Sequence, residues 1–119
     1  MKRKEKYKDK DLRNSLIEGD CLSVLKSFPN SSIDMVMCDL PYGTTKCKWD
    51  CIIDIDKLWQ EYRRILIKPY GVIVLFGSQP FTTKIISGNY EWYKYNFIWK
   101  KNKTTQYLLA NYRPMKCTE

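Results

Sequence analysis

Ile33-Asp34-Met35-Val36-Met37-Cys38 runs directly into Asp39-Leu40-Pro41-Tyr42. The first six residues read as a buried strand. The next four supply a carboxylate at the strand's end, a backbone stiffened by proline and an aromatic face. Downstream, Asp54 is placed to cap a helix whose apolar residues are Ile55, Leu58, Trp59, Tyr62, Ile65 and Leu66. That spacing is the clearest amphipathic helix of the chain. Pro69 and Gly71 stop it, and Val72-Ile73-Val74-Leu75-Phe76 follows as an unbroken apolar run. Runs of this kind, rich in β-branched residues, suit a parallel strand covered by helices on both faces.

Working outward, Ser15-Leu16-Ile17-Glu18-Gly19 reads as a short strand ahead of Asp20. Leu22, Leu25 and Phe28 then recur at helical spacing until Pro29-Asn30 breaks the pattern. Ser78 is a candidate N-cap for a helix to about Ser87, and Tyr95 to Lys100 reads as a further strand. Alternating strands and helices predict an α/β fold, a partial sheet of mainly parallel strands flanked by helices. Ligands of such sheets bind beyond the carboxyl ends of the strands, where Asp20, Asp39 and Ser78 fall.

At 119 residues the chain can form one small domain with a modest core, and 44% hydrophobic residues argue against wholesale disorder. Residues 1–13 read as a flexible basic arm, and 14–119 as the folded part. No apolar run reaches the length of a membrane span, and the basic N-terminus leads into no signal-peptide core. The cytoplasm is the expected compartment, and five irregularly spaced cysteines fit a reducing one. With no histidine, Ser-His-Asp and Cys-His catalysis and a His-ligated zinc site are excluded within this chain. Cys47 and Cys51 are the one close cysteine pair, a poor metal signature, so no metal is expected. No Pro-Cys step occurs, which disfavours cytosine C5 methylation.

A formal net charge of +8 points to a polyanionic partner, most plausibly nucleic acid. Trp92 to Thr118 contains no acidic side chain and interleaves Lys94, Lys100, Lys101, Lys103, Arg113 and Lys116 with aromatic residues. Lys101, Lys103 and Arg113 are the candidate DNA contacts. Phe97 and Trp99 read as core, and Trp49 and Trp59 as core or lid packing.

Asp39-Leu40-Pro41-Tyr42 resembles the Asp-Pro-Pro-Tyr motif of the DNA amino-methyltransferases, which methylate the exocyclic nitrogen of adenine or cytosine using S-adenosylmethionine. From about Ser15 to Glu119 the chain is similar to the N-terminal half of phage-type and restriction-modification adenine methyltransferases. Gly19-Asp20, Gly43-Thr44-Thr45, Leu66 to Gly71, Phe76 to Phe81, Phe97 to Lys101 and Asn111 to Pro114 extend the likeness. Leu40 replaces the commoner first proline, a tolerated departure if only its carbonyl is used.

The resemblance implies a Rossmann-like methyltransferase sheet, incomplete here. It also implies that Asp39 and the Leu40 carbonyl accept the two amine hydrogens of an extruded base, with Pro41 fixing the backbone and Tyr42 stacking on the ring. Asp20, with Cys21 beside it, is expected to face the adenine moiety of S-adenosylmethionine; an ordinary helix N-cap is the equal alternative for Asp20. Asp at position 39 favours adenine N6 over cytosine N4.

The five glycines Gly19, Gly43, Gly71, Gly77 and Gly88 form no Gly-x-Gly, so a Gly-rich cofactor loop is absent from this sequence. In the resembled family with this motif order, that loop follows the catalytic half. The chain is therefore expected to be a fragment (a truncated reading frame, a decayed gene or half of a split enzyme) that transfers little or no methyl group alone, with a C-terminal half or a second subunit as candidate partner. The competing readings are a non-catalytic nucleic-acid-binding remnant, a cytosine-N4 enzyme and a fragment of a protein glutamine methyltransferase.

Overall fold

The computed structural model describes residues 13–118, so the basic arm lies almost wholly outside the described residues. The chain divides into two units, one ending at Leu75 and the other beginning at Phe76.

The first unit contains α1 (Cys21–Leu25), β1 (Met35–Asp39), α2 (Ile55–Ile65) and most of β2 (Val72–Phe76). β1 and β2 form a two-stranded parallel sheet. Helix α2 forms where the apolar period demands it, and its N-cap is Asp54, whose carboxylate accepts from the Lys57 amide at 3.1 Å. Its buried face is Ile55, Leu58, Trp59, Tyr62 and Ile65, joined by Leu66 at the end. The carbonyls that α2 leaves open at its C-terminus are taken up by the chain entering β1. Ser31 donates to Arg64, and Ser32 and Ile33 both donate to Ile65, at 2.7–3.0 Å. A parallel bridge between Ile33 and Leu66, with Ile67 donating to Ile33, then starts the sheet.

Arg64 ties α1 to α2. Its guanidinium donates to the carbonyls of Leu25 and Phe28 at 2.6 and 2.7 Å, to Asn30 Oδ1 at 2.8 Å and to Glu61 Oε2 at 2.8 Å. The carbonyls of Leu25, the last residue of this five-residue helix, and of Phe28 beyond it thereby gain donors from a planar fork suited to several acceptors at once.

The second unit contains α3 (Phe81–Gly88), short 3-10 turns at Tyr90–Trp92 and Tyr107–Leu109, and an antiparallel pair, β3 (Lys100–Thr105) with β4 (Lys116–Thr118). Phe81, Ile85 and Asn89 are its buried residues.

Several expectations are corrected. Ser15 to Gly19 is not a strand, and Leu16 is fully exposed; an extended segment becomes a strand only when it joins a ladder. The strand expected over Tyr95 to Lys100 begins at Lys100 instead, where β4 provides the pairing. Phe97 and Trp99, expected in the core, are 79% and 57% exposed. Trp49 is exposed whereas Trp59 is buried. Ser78 does not cap α3, which starts after Pro80; its hydroxyl accepts instead from Lys116 Nζ at 2.6 Å. The sheet is not covered on both faces, because β1 alternates exposed and half-buried residues, with Met37 62% exposed.

Candidate functional site

Asp39 is the last residue of β1, where the strand passes into Leu40-Pro41-Tyr42. The side chain of Leu40 is buried and anchors the turn, while Asp39 stays exposed. Tyr42 turns its hydroxyl back and donates to Asp39 Oδ1 at 2.9 Å. A carboxylate has about four lone-pair sites, so this bond orients Asp39 and leaves acceptor capacity for a second donor.

Asp39, Leu40 and Pro41 also line a cavity of about 550 Å³. Its walls include Ile17, Gly19 and Cys21 at the start of α1, and Leu58, Tyr62 and Ile65 of α2. Tyr42 is not part of that wall. The volume lies within the range of small-molecule sites, and the lining is mainly apolar.

Asp20 is the N-cap of α1, its carboxylate accepting from the Ser23 amide at 2.9 Å. The Ser23 side chain first, and then this amide bond, hold the Asp20 pKa below the ordinary carboxylate value. Cys21 faces the cavity half-buried, and burial, with the nearby Asp20 charge, raises its thiol pKa. Cys38 is likewise raised by burial, with Tyr62 pulling the other way. Burial pushes the Tyr62 phenol well up, so it stays protonated. Both thiols are therefore neutral and poorly nucleophilic near pH 7.

One site residue escaped sequence reasoning. Asp50 is only 8% exposed, and its carboxylate gathers the loop that follows Tyr42. Gly43 N donates to its Oδ1 at 2.7 Å; Thr44 N, Thr45 N and Thr45 Oγ1 donate to its Oδ2 at 2.9, 2.6 and 2.8 Å. These bonds, led by those from Thr45, lower its pKa to about 2. Gly43 sits at φ +66°, and a Cβ there would come within 2.5 Å of Ile52, so the position needs glycine. The available signal was a Gly-Thr-Thr turn followed by an aspartate a few residues later.

Lys101, Lys103 and Arg113 all belong to the second unit. Lys101 lies half-buried with its ammonium 5.3 Å from the Trp99 ring centroid, and Lys103 and Arg113 are exposed. Trp99 in turn meets Phe76 edge-on, and Phe97 meets Tyr95 in the same way. Among the described residues no cluster of His, Cys, Asp and Glu could hold a metal, and no helix is long and apolar enough to cross a membrane.

The chain has distant, partial similarity to Type II methyltransferase M.HinfI of Haemophilus influenzae, being 28% identical over 90 residues. The match covers 57% of this chain and 25% of that protein, so the chain spans about a quarter of its relative's length. No protein-family model matches the chain. No solved structure matches it either.

Proposed function

We propose that this chain carries the base-binding part of an S-adenosylmethionine-dependent DNA methyltransferase specific for adenine N6. The observation that carries the reading is the position of Asp39-Leu40-Pro41. The segment ends a parallel strand and borders a cavity that reaches Gly19 and Cys21. The partial similarity to a type II methyltransferase supports the same reaction class.

An adenine amine is a weak nucleophile because its lone pair is delocalised into the ring. The Asp39 carboxylate accepts one amine hydrogen and the Leu40 carbonyl the other, which favours a pyramidal nitrogen with its lone pair aimed at the cavity. Positioning and stabilisation of the developing positive charge by Asp39 then carry the catalysis, without a covalent intermediate. The Tyr42 ring stacks on the extruded base, and its hydroxyl keeps Asp39 in the required rotamer.

The apolar cavity suits the flat purine of the cofactor, with Cys21 in its wall and Asp20 next to it in the chain. Bound there, the cofactor supplies an electrophilic methyl on a sulfonium. A purine surrounded by aliphatic walls needs few polar partners, and the Asp20 carboxylate remains exposed beside the cavity even while capping α1. Lys101, Lys103 and Arg113 contact phosphates, in keeping with the absence of acidic side chains from Trp92 to Thr118.

The test uses the full chain and an oligonucleotide in which 2-aminopurine replaces one unpaired adenine. Stacking on Tyr42 quenches its fluorescence, more strongly with S-adenosylhomocysteine present. Tyr42→Ala abolishes the quench and Asp39→Ala weakens it. Binding that is salt-sensitive but indifferent to both substitutions and to the cofactor analogue would overturn the assignment. That outcome would favour a second reading, a nucleic-acid-binding remnant, for which the exposed aromatic and basic stretch of the second unit is the observation.

A further inference from the structure

We infer that Asp50 is a positioning residue of the base site: its carboxylate fills a nest of backbone amides and thereby fixes the direction in which the chain leaves Tyr42. This role rests on the base-binding reading above.

Three successive amides, those of Gly43, Thr44 and Thr45, point at one carboxylate, with the Thr45 hydroxyl as a fourth donor. Successive N–H groups around a residue with positive φ form an anion-binding concavity, and Gly43 provides that φ. Here the anion is internal. The Asp50 amide donates to Cys47 at 3.1 Å, and Cys47 N reaches Thr45 Oγ1 at 3.3 Å, so the carboxylate is itself held from the other side of the loop. Burial of Asp50 makes the four bonds a fixed element rather than a transient surface contact.

The consequence falls on Tyr42, whose following peptide is the first donor in the nest. Tyr42 also meets Asp39 through its hydroxyl. A displaced Gly43 amide would rotate the Tyr42 backbone and separate ring from carboxylate, although neither side chain had changed. Asp50 touches neither base nor cofactor in this arrangement; it acts only through the loop.

The experiment separates base seating from DNA binding in the full chain, again with the 2-aminopurine oligonucleotide. Asp50→Asn keeps the size of the side chain but sets an NH₂ among N–H donors. Overall affinity, followed by anisotropy of a labelled oligonucleotide, should stay within about twofold because the phosphate contacts lie elsewhere. Base seating, followed by the quench, should fall about tenfold, the scale of one lost charge-assisted hydrogen bond. Thr45→Val removes a single donor and should give a loss of about threefold, as for one net hydrogen bond, without unfolding. Amide proton resonances of Gly43 to Thr45 should move upfield in Asp50→Asn.

Wild-type base seating in both variants would overturn the role. So would an unfolded Asp50→Asn chain accompanied by an unaffected Thr45→Val, which would make the carboxylate purely structural. A wild-type chain that never quenches the probe identifies a different failure, that of the base-binding reading, and removes the role with it.

Discussion

The two units spend their apolar residues in opposite ways. Up to Leu75, the spaced residues of α2 reach near-complete burial, with Leu58 and Ile65 each 1% exposed. Beyond Phe76, α3 contributes Phe81 and Ile85 to a small buried set, while Tyr95, Phe97, Ile98, Trp99, Tyr107, Leu108 and Tyr112 all stay largely exposed. Apolar content therefore does not decide burial. A helix carries its own backbone hydrogen bonds and needs only a surface to pack on, whereas an extended aromatic segment also needs a neighbouring strand. The polar groups follow the same division. Arg64 and Asp50 each collect four hydrogen bonds inside the first unit.

The sharpest way to break this comparison is to truncate one residue on each side of it. Ile65→Ala leaves a cavity in the core of the first unit and should cost about 2–5 kcal/mol of unfolding free energy. Phe97→Ala removes a larger side chain but little buried surface, and should change stability by less than about 0.5 kcal/mol. Urea denaturation followed by far-UV circular dichroism measures both. Equal losses would mean that Phe97 is packed in solution, and the contrast would fail.

Arg64→Ala comes next, at about 2–4 kcal/mol. It takes a donor from the carbonyls of Phe28 and of Leu25, which keeps the Phe28 amide, and removes the Arg64 bond to Glu61, 4% exposed. Hydrogen exchange should rise first in α1 and the 26–30 turn, ahead of α2. Arg64→Lys should recover only part of the loss, because an ammonium cannot reproduce the fork.

Much of this architecture was legible because local rules and packing agreed. Val72–Phe76 is a strand over the residues its composition selected, and Asp54 caps the helix whose period begins beside it. Asp39 ends β1 because the apolar run stops there. What failed was whatever depended on a partner. Ser15 to Gly19 and Tyr95 to Trp99 have strand-like composition, yet composition does not say which edge will pair with them. Ser78 looked like a cap, but Lys116, 38 residues later, takes its hydroxyl. Asp50 was invisible as a site residue for a related reason. Its role comes from the closing of the loop between Gly43 and Asp50, and no residue in that loop is unusual by itself. The Tyr42–Asp39 bond was equally unforeseen, since the motif implied a stacking ring and said nothing of its hydroxyl.

Acid provides a gentler probe of the first unit. The pKa of Asp50 is lowered from 3.8 to about 2 in the folded chain, so folding favours its ionised form. Its contribution is complete above the unfolded value near 4 and is lost progressively as the pH falls toward 2. Asp20 and Asp54 are shifted the same way, first by the side chains of Ser23 and Lys57 and then by their capping bonds, and add to the slope. Asp50→Asn should start from lower stability at pH 7 but lose less between pH 4 and pH 2 than the wild type. Parallel losses in the two chains would show that the nest does not favour the charged form.

The smallest effect concerns Trp59, buried in the core of the first unit with its ring edge-on to Tyr62 at a centroid distance of 5.9 Å. Its indole Nε1 is buried without a hydrogen-bond partner among the described residues. A buried N–H that forfeits its water costs about 1–3 kcal/mol, which offsets part of what the large ring contributes by burial. Trp59→Phe removes that N–H together with one ring's worth of packing, and the two terms oppose each other. The net change should stay within about 1 kcal/mol, well below the loss in Ile65→Ala although each substitution deletes three heavy atoms. A loss of Ile65→Ala size in Trp59→Phe would mean that the indole nitrogen finds a partner in solution. The core would then owe more to polar satisfaction than to the spacing of its apolar residues.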